Sequence, residues 1–191
     1  MLTFDELKLI LLKSEPSKDL EARKEELFDL MDEFRICDGF DQKNDWHIYD
    51  VLTHIFKVVD NVPAMLPLRI AALFHDVGKP EMHYTDKDGV NHYPNHWMLS
   101  QSIFHKYKQF FTLSKEETRL ISNLIYDHDK PLVKNNFYKE LYNDRYGNDL
   151  DQLFMLKKAD ILASNPTKHD EYLKRLSETK DYYYAKEYVN H

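Results

Sequence analysis

Apolar residues recur at three- and four-residue intervals along most of this chain, the spacing of one face of an α-helix, and only four glycines interrupt it. The pattern predicts an all-α fold. Residues 4–12 form an expected first helix, and Leu20, Leu27, Leu30, Met31 and Phe34 mark an apolar stripe on a second. The stretch GFDQKNDW, residues 39–46, reads as the first connector. A third helix is expected over residues 49–59, with Val51, Ile55 and Val58 on one face, His54 on or beside that face, and Asn61, Val62 and Pro63 closing it. Pro67 then opens LRIAALFHD, whose dense small and apolar residues predict a helix at the centre of the molecule. Gly78 and Pro80 are expected to end it, with His75 and Asp76 in its last turn.

Between Glu81 and Asn95 the helical period lapses, and the Asp88-Gly89 turn signal predicts one small β-hairpin near residues 83–93. A helix over 96–111 follows, then Ser114 with Glu117 three residues later, a capping box for a helix reaching Tyr126, with His128 just past its end. Further helices are expected over 134–146 and over 149–163, where Leu153, Leu156 and Asp160 share a face, and a polar, tyrosine-rich one over 170–188. The chain reads as one helical domain over 1–191: N-terminal helices in 1–45, a core in 46–164 and a C-terminal helix in 165–191.

A length of 191 residues, 42% of them apolar, suffices to bury a core. No apolar run approaches the 18 or more residues of a membrane span, and the chain does not start with a basic-then-apolar leader, so a soluble, cytoplasmic protein without a membrane partner is expected. The single cysteine, Cys37, excludes an internal disulfide and a thiolate cluster; any metal site must use nitrogen and oxygen ligands. A net charge of −7 argues against a broad basic surface for duplex nucleic acid but not against a small phosphorylated ligand, which needs only a local positive focus. Among the aromatics, Tyr93, Trp97 and Tyr126 could stack on bases, with core packing as the plainer use, and the DYYYAKEY tail could dock on the domain or meet a partner.

The chemistry concentrates at His75-Asp76, within LFHDVGKP, with His54, His96, His128 and Asp160 at wide intervals around it. Such a pair offers one nitrogen and one oxygen ligand from a single turn, and its carboxylate can bridge two cations. Adjacent His and Asp also occur by chance, so the pair needs further ligands. His54 on an apolar face and Asp160 on an amphipathic helix are each residues whose burial requires a partner, and one metal ion would satisfy both.

The order His54, His75-Asp76, Asp160, with LRIAALFHDVGKP around the pair and MLKKADILAS around the last, resembles the HD superfamily of metal-dependent phosphohydrolases. It is most similar to the HD region attached to bacterial tRNA nucleotidyltransferases, in the segment GFDQKNDWHIYDVLTHIFKVV and in the later PNHW and IYDHDKP strings. The likeness runs over residues 2–163. No nucleotidyltransferase head is present, so CCA addition is not implied, and a GYP string is absent. Where that family carries a glycine before the third histidine and an acid after it, this chain has Asn95 and Trp97.

The resemblance implies that His54, His75, Asp76 and Asp160 hold one divalent cation of the Mn, Fe, Co, Ni, Zn or Mg group, with His96 and His128 serving a second cation or a substrate phosphate. It further implies catalytic roles for Asp76, anchoring and orienting a water, and for Lys79, reaching a phosphate oxygen as a point charge. Taken by themselves, His96 could be a solvent-facing helix start and His128 a helix-end cation. His47, His83, His92, His105, His169 and His191 are expected at the surface or behind the ligands, His47 and His92 drawing most attention. Asp129 and Asp50 could each orient a neighbouring imidazole. The implied activity is hydrolysis of a phosphomonoester or phosphodiester in a nucleotide or RNA end. Two alternatives stand beside it: a non-catalytic, metal-containing nucleotide- or tRNA-binding module, and a helical scaffold whose histidines are structural.

Overall fold

The computed structural model describes residues 1–131 and 133–185. The protein is an all-α helical bundle carrying one two-stranded hairpin. Helix α1 (Phe4–Leu11) starts from a capping box between Thr3 and Glu6. The apolar stripe expected on a single second helix is carried instead by α2 (Pro16–Ala22), α3 (Lys24–Leu30) and a 3₁₀ turn (Asp32–Cys37). Arg23 leaves helical geometry between α2 and α3 and grips Glu26 with two hydrogen bonds of 2.8 Å. The break reorients the chain so that Leu20, Leu27, Met31 and Phe34 all remain buried.

Helix α4 (Val51–Asn61) is capped by Asp50, whose carboxylate accepts from the Thr53 N–H (2.9 Å) and hydroxyl (2.7 Å). Asp50 therefore fastens a helix end, correcting the expectation that it orients an imidazole. Helix α5 (Leu66–Phe74) is the centre of the bundle; from Leu68 to Phe74 every side chain is buried. It stops at Phe74 with His75 as its cap, and Pro80 then lies in the first turn of a short α6 (Lys79–Met82). The proline starts a helix here instead of ending one, because its missing N–H costs nothing in a first turn. Strands β1 (Tyr84–Thr85) and β2 (Asn91–His92) pair antiparallel, and Gly89 (φ +82°) supplies the left-handed residue of their turn.

Helices α7 (His96–Tyr107), α8 (Lys115–Asp127), α9 (Asn136–Tyr146) and α10 (Leu150–Leu162) complete the core, α8 with the expected Ser114–Glu117 capping box. Helix α5 packs against α1, α4, α7, α8 and α10, and α11 (His169–Tyr184) lies along α10. Lys186, Glu187 and Tyr188 of the expected last helix, and His191, fall outside the described residues. Among the described residues no helix is long and apolar enough to cross a membrane.

One close approach governs the site. A Cβ at Gly78 would lie 2.7 Å from the His96 carbonyl and 2.8 Å from the Ser100 nitrogen. Only glycine lets the turn after Asp76 sit against the start of α7, and the Gly78 N–H donates to Ser100 Oγ at 2.9 Å. Asn95, just before α7, adopts left-handed geometry (φ 59°). Asparagine tolerates that region better than most residues.

Candidate metal centre

Five elements converge on Asp76. His54 comes from α4, His75 from the end of α5, His96 from the first turn of α7, His128 from the end of α8, and Asp160 from α10. Three of the imidazoles are fixed locally: Nδ1–H donates to the carbonyl three residues earlier, His75 to Ala72 (2.7 Å), His96 to Tyr93 (2.8 Å) and His128 to Ile125 (2.7 Å). At the ends of α5 and α8 these carbonyls have lost their helical partners, so the ring caps the helix as the helix orients the ring. His54 is held at long range, Nδ1–H donating to the Ala163 carbonyl at the end of α10 (3.3 Å). A carbonyl only accepts, so each Nδ1 carries a hydrogen and each Nε2 is directed at the centre.

The four Nε2 atoms divide between the two oxygens of Asp76. Oδ2 lies 3.3 Å from His54 and 3.2 Å from His75. Oδ1 lies 3.2 Å from His96 and 3.3 Å from His128. Asp160 Oδ1 adds a second carboxylate 3.0 Å from His54 Nε2. Within each half two ring nitrogens face each other, His54 to His75 at 3.3 Å and His96 to His128 at 3.2 Å. Facing lone pairs repel unless a proton or a cation lies between them. Ligand atoms of His54, His75 and Asp160, of His75, Asp76 and His128, and of His47, His54 and Asp76 fall within 4.8 Å of one another in each trio, and each trio could hold a metal ion. The donors are all imidazole nitrogen and carboxylate oxygen, with ring N–H groups bonded outward to carbonyls, the donor set and support that borderline divalent cations take.

Charge at the centre follows from burial and pairing. Burial opposes the imidazolium of His54, but hydrogen bonds to Asp160 and Asp76 outweigh it and push its pKa up to about 9. Burial likewise raises Asp76 and Asp160, yet their partners win: His75, Lys79, His128 and His54 hold Asp76 well below the carboxylate range, and His54 does the same for Asp160. His128 is pushed down by burial. Burial thus favours the neutral imidazole at His128 over the helix-end cation that its position also allowed, and His96 is only 2% exposed, not a solvent-facing helix start.

Lys79 projects into this centre, with Nζ 2.6 Å from Asp76 Oδ2, 2.9 Å from Gln42 Oε1 and 3.2 Å from His47 Nε2. Lysine only donates, so His47 accepts there, while its Nδ1–H donates to Asn44 Oδ1 (2.9 Å). Burial and then the Lys79 charge push His47 down to about 2. His47 thus stands beside the centre as a neutral acceptor of the Lys79 ammonium. Lys157, also unassigned from sequence, donates from its buried ammonium to the carbonyls of His128 (2.5 Å) and Lys130 (2.6 Å), binding α10 to the segment after α8.

A cavity of about 220 Å³ opens on Asp76, Lys79, His96, His128 and Asp160, with Tyr93 and Asp129 at its edge. Asp129 is exposed there and His92, also on the edge, bonds to Asp86 (2.6 Å). Trp97 and Tyr126 do not line this cavity; Tyr126 carries the Lys130 ammonium 3.1 Å from its ring centroid. His83 and His105 are exposed and His169 is half-buried, none of them at the centre. Compared with known proteins, the chain matches no family model, and no curated protein matches it.

Proposed function

We propose that the protein is a metal-dependent phosphohydrolase of the HD type, acting on a nucleotide or RNA-end phosphate ester. The observation that carries this reading is the convergence of four orientation-locked imidazoles on the two oxygens of one buried carboxylate, with Asp160 as a further anionic ligand. The likeness to HD phosphohydrolases rests on the order of these residues and on the sequence strings around them. His54, His75, Asp76 and Asp160 would hold one divalent cation, and His96, His128 and the second oxygen of Asp76 another. Such cations, when bound, supply Lewis acidity toward phosphoryl oxygens and lower the pKa of water.

The chain's own groups do the rest. Lys79 presents its ammonium at the cavity, where it would meet charge developing on phosphoryl oxygens in a setting that excludes bulk water. Gln42 and His47 aim that ammonium. Asp76 stays anionic and holds the ligand halves in register. An open cavity beside the ligands favours turnover, because a site used only to hold metal gains nothing from an approach for a further molecule.

The test is elemental analysis of protein purified without chelators. It is joined to a hydrolysis screen over p-nitrophenyl phosphates, 2′,3′-cyclic nucleotides and nucleoside mono- and triphosphates, with Asp76→Asn alongside. One or two metal ions per chain, and turnover that disappears in the variant while helical circular dichroism persists, are expected. Bound metal without turnover on any substrate would replace the enzyme by a binding module, and protein that takes up no metal on loading would overturn both.

A further inference from the structure

Beside the ligand cavity lies a larger chamber of about 400 Å³, between α10, α11 and the segment after α8. Trp46, His128, Asp129 and Asp160 line both, so the two are chambers of one cleft with Asp160 and His128 on the shared wall. We propose that this second chamber seats the planar base of a mononucleotide substrate whose phosphate occupies the ligand chamber. Trp46, Tyr172 and Arg175 would be the groups that select it. The inference rests on the phosphohydrolase reading and supplies its substrate class.

The lining has the composition that base recognition requires. Trp46 and Tyr172 meet edge to face with ring centroids 4.3 Å apart, and the Arg175 guanidinium lies 5.4 Å from the Tyr172 ring centre. Aromatic rings and a flat guanidinium are what purines and pyrimidines stack on, whereas a sugar phosphate or an alkyl phosphate would leave them unused. Ile161 and Leu176 add apolar surface for the base.

Both walls are braced. The Trp46 carbonyl accepts from the Asn165 N–H at 2.8 Å and the Asp45 carbonyl from Asn165 Nδ2 at 3.0 Å, pinning the tryptophan loop to the connector before α11. On the opposite side the buried Lys157 ammonium clamps the carbonyls of His128 and Lys130. A preformed chamber in the usual size range of ligand pockets suits a single nucleoside, and a net charge of −7 weighs against a long nucleic acid.

The experiment is paired, so that binding and turnover report separately. Quenching of tryptophan fluorescence is titrated with adenosine 5′-monophosphate and with ribose 5-phosphate, which keeps the phosphate and lacks the base, and hydrolysis of both is measured on metal-loaded protein. Wild type is expected to bind and turn over the nucleotide with about tenfold advantage, the scale of one base–aromatic stack. Tyr172→Ala should remove that advantage through KM, leaving kcat and the ribose 5-phosphate rate unchanged, and Tyr172→Phe should restore it. Arg175→Ala, at an exposed side chain, should erode the same preference in part. Turnover without preference for the base, or equal loss on both ligands in Tyr172→Ala, overturns the base site and leaves the hydrolase. Base-dependent binding without turnover keeps the base site and overturns the hydrolase. A preference for an oligoribonucleotide end over the mononucleotide overturns the assignment to a mononucleotide.

Discussion

The two halves of the Asp76 centre have the same number of imidazoles and different electrostatics. Around Oδ2, His54 and His75 are joined by a second carboxylate, Asp160, and by the Lys79 ammonium; around Oδ1, among the described residues, stand His96 and His128. The first half carries enough negative charge to hold His54 protonated with a pKa of about 9, while burial drives His128 the other way. A place that retains a proton so firmly, between a nitrogen and two carboxylates, is also the place where a divalent cation gains most. The Oδ2 half should therefore be the tighter site and the Oδ1 half the weaker one.

The largest effect is expected from removing the shared ligand. Asp76→Asn keeps the shape but strips charge from both halves at once, and metal should vanish from both, together with any hydrolysis, in elemental analysis and assay. Asp160→Ala and His96→Ala separate the halves. Each should weaken metal binding by more than about 100-fold, beyond the usual cost of an outer-shell partner, but on the tighter and the weaker site respectively in calorimetric titration. If both variants lost the same site, the division would fail.

Gly78→Ala tests the geometry of the Oδ1 half alone. Its Cβ would drive against the His96 carbonyl, so the start of α7 must move; loss of the weaker site with the tighter one intact is expected, at a stability cost of about 1–3 kcal/mol in urea denaturation.

The subtlest test is pH. In metal-free protein the His54 pKa is raised from its ordinary 6.5 to about 9, so its charged form stabilises the fold fully below pH 6.5 and that contribution is lost as pH rises toward 9. Lys157, pushed down by burial to about 8, works in the opposite sense only above that pH, and His47, already neutral in the fold above about 2, adds nothing past 6.5. Between pH 6.5 and 8 metal-free protein should therefore lose about 2 kcal/mol of stability, a loss absent in His54→Gln and in metal-loaded protein. Proton uptake instead of release on metal addition at pH 7, read in weakly buffered solution, would contradict the protonated Oδ2 half.

Much of this was legible in the chain. Helical spacing, the Ser114–Glu117 box and the Asp88-Gly89 turn mark their elements because they are local interactions, complete within a few residues. The order of His54, His75, Asp76, His96, His128 and Asp160 also pointed to residues that the structure brings together. The second helix was misread because an apolar stripe survives a break: Arg23 turns the backbone while Leu20 and Leu27 stay on the core side. Pro80 was misread because a proline that cannot continue a helix is equally suited to start one.

By itself, then, the sequence determined the all-α class, most helix positions and a nitrogen-and-oxygen donor set with no thiolate cluster available. Only the tertiary structure decided which oxygen of Asp76 each histidine faces, that His47 and Gln42 aim Lys79, that Lys157 clamps the loop after His128, and that Trp46 packs edge to face on Tyr172 in the wall of a cleft. Most of these meetings join different elements of the fold, and Trp46 and Tyr172 stand 126 positions apart. Their distances are set by how whole helices pack against α5, and no local preference along the chain encodes that packing.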